Sequence, residues 1–169
     1  PLHGPILKEN LPYYIGKYQT WSSYEPEDKG VLVACASIHG NTKAAAEKMV
    51  NLLQEAGAAK VAFTDLSRDD MAEAIEDAFR YVLCAASYDG GVFPPMEDFL
   101  NRLSHKAFQK RKVGIIENGS WAPCAAKSMK AILDTMKNLE ICDKVVTIKT
   151  TMKETDVEHM KELAKEIVG

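Results

Sequence analysis

Residues Ser37, Ile38, His39, Gly40, Asn41 and Thr42 stand between an apolar run, VLVACA, and a helix-like segment, KAAAEKMVNLLQEA. Where a buried strand becomes a helix, the first helix N–H groups lack intrahelical acceptors. The helix dipole adds about half a positive charge, so an anion is accommodated there. Gly40 lets the backbone approach closely, and Ser37, Asn41 and Thr42 supply short hydrogen-bonding side chains; His39 is also suited to capping the helix. The chemistry indicated is anion binding. Neither the lysine of a Walker A loop nor the three spaced glycines of a dinucleotide fingerprint occurs, so the pattern argues against nucleoside triphosphates and NAD and leaves a monophosphate as the natural guest. An ordinary capped turn is the plain alternative.

Two further loops carry candidate chemistry. SYDGGVFPPMEDF (87 to 99) contains Ser87, Tyr88, Asp89 and two adjacent glycines, with Pro95 placed to open a helix. Gly90 and Gly91 permit positive φ and let a peptide reorient, which suits a ligand whose protonation changes. ENGSWAPC (117 to 124) repeats the theme, with Asn118, Gly119 and Ser120 for backbone approach and Trp121 as a flat surface for a planar ring. Each aromatic alone also reads as ordinary packing; their arrival in two such loops favours ring binding.

Short apolar runs alternate with amphipathic segments along the chain: VLVACA, KVAFTDL (60 to 66), YVLCAAS (81 to 87), KVGIIEN (112 to 118) and KVVTIKT (144 to 150). The runs at Val31, Tyr81 and Val113 are nearly continuous in apolar character, as strands covered on both faces require. Between and after them, apolar residues recur at helical spacing. The sets are Ala45, Met49, Leu52, Leu53 and Ala56; Met71, Ile75, Ala78 and Phe79; Met96, Phe99, Leu100 and Leu103; Met129, Ile132, Leu133 and Met136; and Val157, Met160, Ala164 and Ile167. A capping box from Thr155 to Glu158 precedes the last set. This alternation predicts an α/β fold, a doubly wound five-stranded parallel sheet with helices on both faces and its ligand at the strands' carboxyl ends. The three polar loops follow the first, third and fourth predicted strands.

Composition narrows the function classes. The 169 residues suit about one domain, and the net charge of −3 comes without a basic stripe, so nucleic acid is not an expected partner. No apolar run is long enough to span a bilayer and no secretory pattern opens the chain; the expected location is the cytoplasm. Cys35, Cys84, Cys124 and Cys142 show no CxxC spacing and read as reduced thiols, with Cys124 alone in a loop as the candidate reactive one. Leu11, Tyr14, Ile15 and Tyr18 form one stripe of an N-terminal helix suited to packing on another surface.

SIHGNT after a strand resembles the phosphate loop of flavodoxins, and SYDGGVFPPMEDFL and NGSWAP resemble the ring-binding loops of flavodiiron proteins, also called A-type flavoproteins. The similarity covers residues 29 to 169 as a flavodoxin-like FMN-binding module, implying strand order 2-1-3-4-5. The preceding PLHGPILKENLPYYIGKYQTWSSY resembles the end of that family's metallo-β-lactamase-like diiron domain, so residues 1 to 28 are expected to be its remnant and linker, with His3 at the last iron-ligating histidine. No HxExDH cluster occurs, so His3 is an orphaned ligand unless a diiron domain precedes it. The resemblance implies that residues 37 to 42 wrap the FMN phosphate. It further implies that Ser87, Tyr88, Asp89 and Gly90 contact the isoalloxazine edge, and that Asn118, Gly119, Ser120 and Trp121 close its other side. Asp89 and Glu117 are expected to lower its potential. The family pattern departs at His39, often threonine, at Ala85-Ala86-Ser87, often Ser-Pro-Thr, and at Trp121 to Cys124, often Tyr-Gly-Trp-Ser.

The function so implied is electron relay from rubredoxin or an NADH-linked reductase, through FMN, to a diiron site that reduces oxygen or nitric oxide, in a head-to-tail homodimer. The alternatives are a free-standing flavodoxin-like reductase of quinones or similar acceptors, and a flavin-free receiver-type module. The latter wants clustered acids where this chain has Cys35-Ala36 and Ala85-Ala86.

Overall fold

Neighbouring residues of the strand Gly30–Ala36 (β1), buried throughout, serve different cores. Leu32, Ala34 and Ala36 join one apolar cluster, and Val31, Val33 and Cys35 join another. A strand flanked by two cores must be the middle layer of three. The computed structural model describes residues 4–26, 29–76 and 81–169, with the backbone alone at 76 and 81–87.

Around β1 run Lys60–Asp65 (β2), Tyr81–Tyr88 (β3), Gly91–Val92 (β4), Arg111–Asn118 (β5) and Leu139–Ile148 (β6). Hydrogen-bonded neighbours follow the order β2-β1-β3-β5-β6, all parallel, while β4 folds back antiparallel on β3. The helices Asn41–Glu55 (α2) and Glu154–Val168 (α6) cover one face, where Met49, Leu53, Met160 and Ile167 are fully enclosed. Met71–Glu76 (α3), Pro94–His105 (α4) and Ala125–Leu133 (α5) cover the other around Met96, Phe99, Leu100 and Met129. Each such side chain contributes about 1.5–3 kcal/mol by leaving water. Parallel neighbours bring Ala36, Ala85 and Glu117 into line, so the loops after β1, β3 and β5 leave the same edge together.

Several element boundaries differ from the periodicity. Residues 87 and 88 pair with Val92 and Gly91, so the expected loop begins as a hairpin. Asp89 at φ 45° and Gly90 at φ 74° form its two-residue turn, the Asp-Gly chemistry that matches strand twist. α4 opens at Pro94 rather than Pro95, since either proline can occupy the first turn. β6 begins at Leu139, ahead of the predicted Lys144: Leu139, Glu140 and Ile141 pair with Arg111, Lys112 and Val113, and a register shift between Val113 and Ile115 separates them from the pairing that resumes at Val145. The Thr155–Glu158 capping box does not form; α6 starts earlier, and Asp156 Oδ2 accepts the Lys153 N–H at 2.9 Å. Ala56 and Met136 fall just past their helices, while Ala78 and Phe79 lie outside the described residues.

The N-terminal helix Leu11–Ser22 (α1) buries none of its residues; Tyr18 is 70% exposed and Trp21 61%. It is tied on at its carboxyl end, where Lys110 Nζ donates to the Ser23 carbonyl at 3.1 Å and pairs with Glu25 at 2.6 Å. Arg111 donates to the Tyr24 carbonyl at 2.8 Å. The hydrogen bond from Lys110 and its charge hold the Glu25 carboxyl below its ordinary value.

Gly114 of β5 is what lets α6 lie close to the sheet: a Cβ there would stand 2.6 Å from Ile167 Cδ1 and 3.1 Å from Leu163 Cδ1. Because the methyl tips can yield, Gly114→Ala is expected to cost about 1 kcal/mol, the low end of overpacking penalties, measured by urea denaturation.

Candidate functional site

β1 ends buried at Ala36 and the chain must turn into α2, whose buried face is Thr42, Ala45, Ala46, Met49, Leu52 and Leu53. The turn is held from two sides. Ser37 Oγ accepts the Gly40 N–H at 3.1 Å, and the Ser37 N–H donates to Ser67 Oγ at 3.3 Å. Ser67 is placed in turn by Asp65, whose Oδ1 accepts its N–H at 3.1 Å. Asp65 is buried at the end of β2 and takes Lys43 Nζ at 3.3 Å, which fixes the first turn of α2 to the sheet. Gly40 caps α2 at φ 90°, a conformation L side chains rarely adopt, and nothing lies within 4 Å of where its Cβ would be.

No side chain caps α2. Thr42 is only 3% exposed, and its hydroxyl has no hydrogen-bond partner among the described residues. A buried hydroxyl left unsatisfied costs about 1–3 kcal/mol, so this position invites an external acceptor or donor. It opens on a cleft of about 280 Å³ lined by Ile38, His39, Asn41 and Thr42 on one side and by Asn118, Gly119, Ser120 and Thr150 on the other. The sheet thus brings seven of the sequence-nominated residues to one cavity, with Ser37 and Gly40 shaping its wall.

Other nominated residues stand differently. Tyr88, Asp89, Gly90 and Trp121 do not line this cleft. Tyr88 is half exposed with its ring 5.7 Å from that of Phe93, and Trp121 is 96% exposed. Tyr88 ends β3 and Trp121 follows the end of β5, and these strands are neighbours, since Ala86 pairs with Asn118, so both aromatics lie at the same carboxyl edge. Ser87 pairs through its backbone with Val92. Asn118 faces the cleft, but its side-chain amide is spent on protein: Nδ2 donates to the Thr150 carbonyl at 2.8 Å and Oδ1 accepts the Thr150 N–H at 3.0 Å. Glu117 is likewise engaged, accepting the Ala126 N–H at 2.8 Å at the start of α5 and the Thr147 hydroxyl at 2.9 Å. Its charge serves the α5 terminus, where a carboxylate is favoured. His3 lies outside the described residues.

Ser67 and Thr150 were missed by sequence reasoning. Both follow strand ends, and searching every carboxyl-edge loop of a parallel sheet is the signal that finds Thr150. Among the described residues, no three His, Cys, Asp or Glu are grouped to hold a metal, and no helix is long and apolar enough to cross a membrane.

A flavodoxin from the domain Archaea superimposes with a TM-score of 0.72 at 19% identity, over 82% of this chain and 96% of its own. The fold is flavodoxin-like. Rubredoxin oxygen:oxidoreductase from Desulfovibrio gigas shares the flavodoxin-like fold with a TM-score of 0.85 at 17% identity, over 94% of this chain and 39% of that one. The flavodiiron protein from Giardia intestinalis gives 0.84 at 17%, over 95% and 40%. At these identities the likeness speaks for the flavodoxin-like fold alone. No protein-family model matches the chain. Two uncharacterized proteins of Methanocaldococcus jannaschii are 29% and 25% identical, over 95% and 99% of this chain. The chain spans 40% and 43% of their lengths.

The thiols differ sharply in environment. Burial, reinforced by the nearby Asp65 charge, pushes Cys35 up to about 12, and burial with Glu166 does the same to Cys142. Cys124 is partly exposed at the start of α5, its Sγ 3.5 Å from the Gly91 carbonyl. Alkylation of folded protein at mildly alkaline pH, mapped by mass spectrometry, is expected to modify Cys124 well before Cys35 and Cys142, which react only on unfolding.

Proposed function

We propose that residues 29–169 bind FMN and relay electrons, and that they form the C-terminal part of a flavodiiron oxygen or nitric oxide reductase of which residues 1–28 are the diiron-domain end and linker. The observation that carries this reading is the buried, unpartnered Thr42 hydroxyl at an uncapped helix N-terminus, lining a cleft at the carboxyl edge of a flavodoxin-like sheet.

The residues present fit a monophosphate. The α2 N-terminus, the Thr42 hydroxyl and the open space at Gly40 offer donors and room together, with no lysine forced on the guest. Ser37, Ile38, His39, Gly40, Asn41 and Thr42 would hold the phosphate; Gly119 and Ser120 would face the chain linking it to the ring. Tyr88 and Trp121 supply exposed flat surfaces at the rim for the ring itself. FMN, when bound, supplies uptake of two electrons and their release one at a time. The protein's own contribution is to grip, orient and bias. The exposed Asp89 carboxylate opposes added negative charge near the ring, and the Gly90 carbonyl, turned by positive φ, offers an acceptor to a protonated ring nitrogen. No residue has to act as acid or base.

The larger context rests on two observations. Superposition on the Desulfovibrio gigas protein takes in 94% of the chain against 82% for the archaeal flavodoxin, which leaves room for α1 to be matched in the former. The apolar side chains of α1, Leu11, Tyr14, Ile15, Tyr18 and Trp21, are exposed as a patch that calls for a covering surface. We assign that surface to the rest of a longer polypeptide, with His3 an iron ligand there. Rubredoxin or an NADH-linked reductase as donor, a head-to-tail homodimer and a cytoplasmic location complete the proposal. An upstream coding region with an HxExDH cluster supports it, and an unrelated domain there favours the free-standing reductase.

Mixing the purified chain with FMN is expected to quench the flavin's fluorescence in a saturable way and to leave the protein yellow after gel filtration; colourless protein would refute the reading. In the loaded protein, Asp89→Asn is expected to raise the potential of the second reduction by some tens of millivolts, read by redox titration, because it removes a partly screened charge.

A further inference from the structure

Thr150 sits at φ 67°, in the left-handed region, where a β-branched residue is an outlier. Such backbone persists only where its surroundings over-determine it, and those surroundings here are a single side chain. The Asn118 amide grips Thr150 from both sides, donating to its carbonyl at 2.8 Å and accepting its N–H at 3.0 Å. Asn118 is 6% exposed at the end of β5, and the adjoining Gly119 N–H donates to the Ile148 carbonyl at 3.1 Å, closing the end of β6 onto β5. The product of this clamp is a wall. Thr150 lines the same cleft as Asn41 and Thr42, across from the start of α2. Its hydroxyl has no partner among the described residues.

From these contacts we infer that the turn after β6 is a further binding segment of the cleft, in which Thr150 touches the phosphate-bearing ligand and Asn118 is a positioning residue that acts through Thr150. This rests on the FMN reading and deepens it. Asn118 commits one Nδ2 hydrogen and one Oδ1 lone pair to Thr150, and that pair of bonds fixes the orientation of its amide. The Thr150 side chain reaches the ligand only while its backbone is held in the strained turn. The strain therefore belongs to binding, and folding and affinity should respond to it in opposite directions.

Thr150→Gly separates the two. Glycine adopts positive φ freely, so the variant is expected to melt at a higher temperature than the wild type while binding FMN about fivefold more weakly, for the loss of one hydrogen bond. Asn118→Ala is expected to weaken FMN binding by about fivefold in the wild-type background, no more than the loss of the Thr150 side chain itself, and by under about twofold in Thr150→Gly, because its effect is transmitted through Thr150. Dissociation constants come from fluorescence quenching, and melting temperatures from protein without FMN. Wild-type protein that leaves FMN fluorescence unchanged overturns the FMN reading and this assignment together. Wild-type protein that binds FMN, with Thr150→Gly binding equally well or Asn118→Ala losing equal affinity in both backgrounds, overturns this assignment alone.

Discussion

The central constraint is the set of unsatisfied donors where β1 gives way to α2. A fully buried strand must hand over to a helix whose first N–H groups have no capping side chain, and Thr42 is buried there with a hydroxyl that finds no partner. Left to itself, such a terminus is a local cost of a few kcal/mol against a total stability of about 5–15. The surroundings do not relieve it. They hold it open: Ser67 and Ser37 lock the turn, and the Lys43–Asp65 pair pins the first helical turn to β2. Rigid donors aimed at an open cleft favour an anion because no ordering remains to be done when it arrives.

The rest of the fold can be seen as support for that edge. Two cores on opposite faces of the sheet fix the heights of the strands, and parallel pairing brings the loops after β1, β3, β5 and β6 to one side. Each loop is then stiffened by its own device. The β3–β4 hairpin uses an Asp-Gly turn, the β5 loop uses Asn118 and Glu117, and the β6 loop uses the clamp on Thr150. Glu117 and Asn118 show how buried polar groups at a strand end are spent on architecture next to the cleft.

The α/β alternation was legible because β1 is apolar along its whole length, β5 is apolar through its centre from Val113 to Ile116, and the helices repeat at three and four residues. The phosphate loop was legible because Gly40 and its short polar neighbours announce a turn with free N–H groups. What stayed hidden depends on register and long-range pairing. Nothing near Asn118 in sequence says that its amide will be consumed by a residue 32 positions away. Nor does the sequence around Glu117 show that its carboxylate will accept the Ala126 N–H at the start of α5 and the Thr147 hydroxyl. The hairpin at Asp89 was local and could have been found: Asp-Gly between residues able to pair is a turn signal in its own right. The α6 cap shifted because Asp156 competed successfully with Thr155 and Glu158 for the helix start.

The most direct measurement compares how tightly the purified chain holds FMN and riboflavin, which differ only in the terminal phosphate, by titration calorimetry under identical conditions. If that group docks on the α2 terminus with two charge-assisted hydrogen bonds, FMN should bind at least about 100-fold more tightly. Equal affinities, or no binding of either, would contradict the assignment of the cleft.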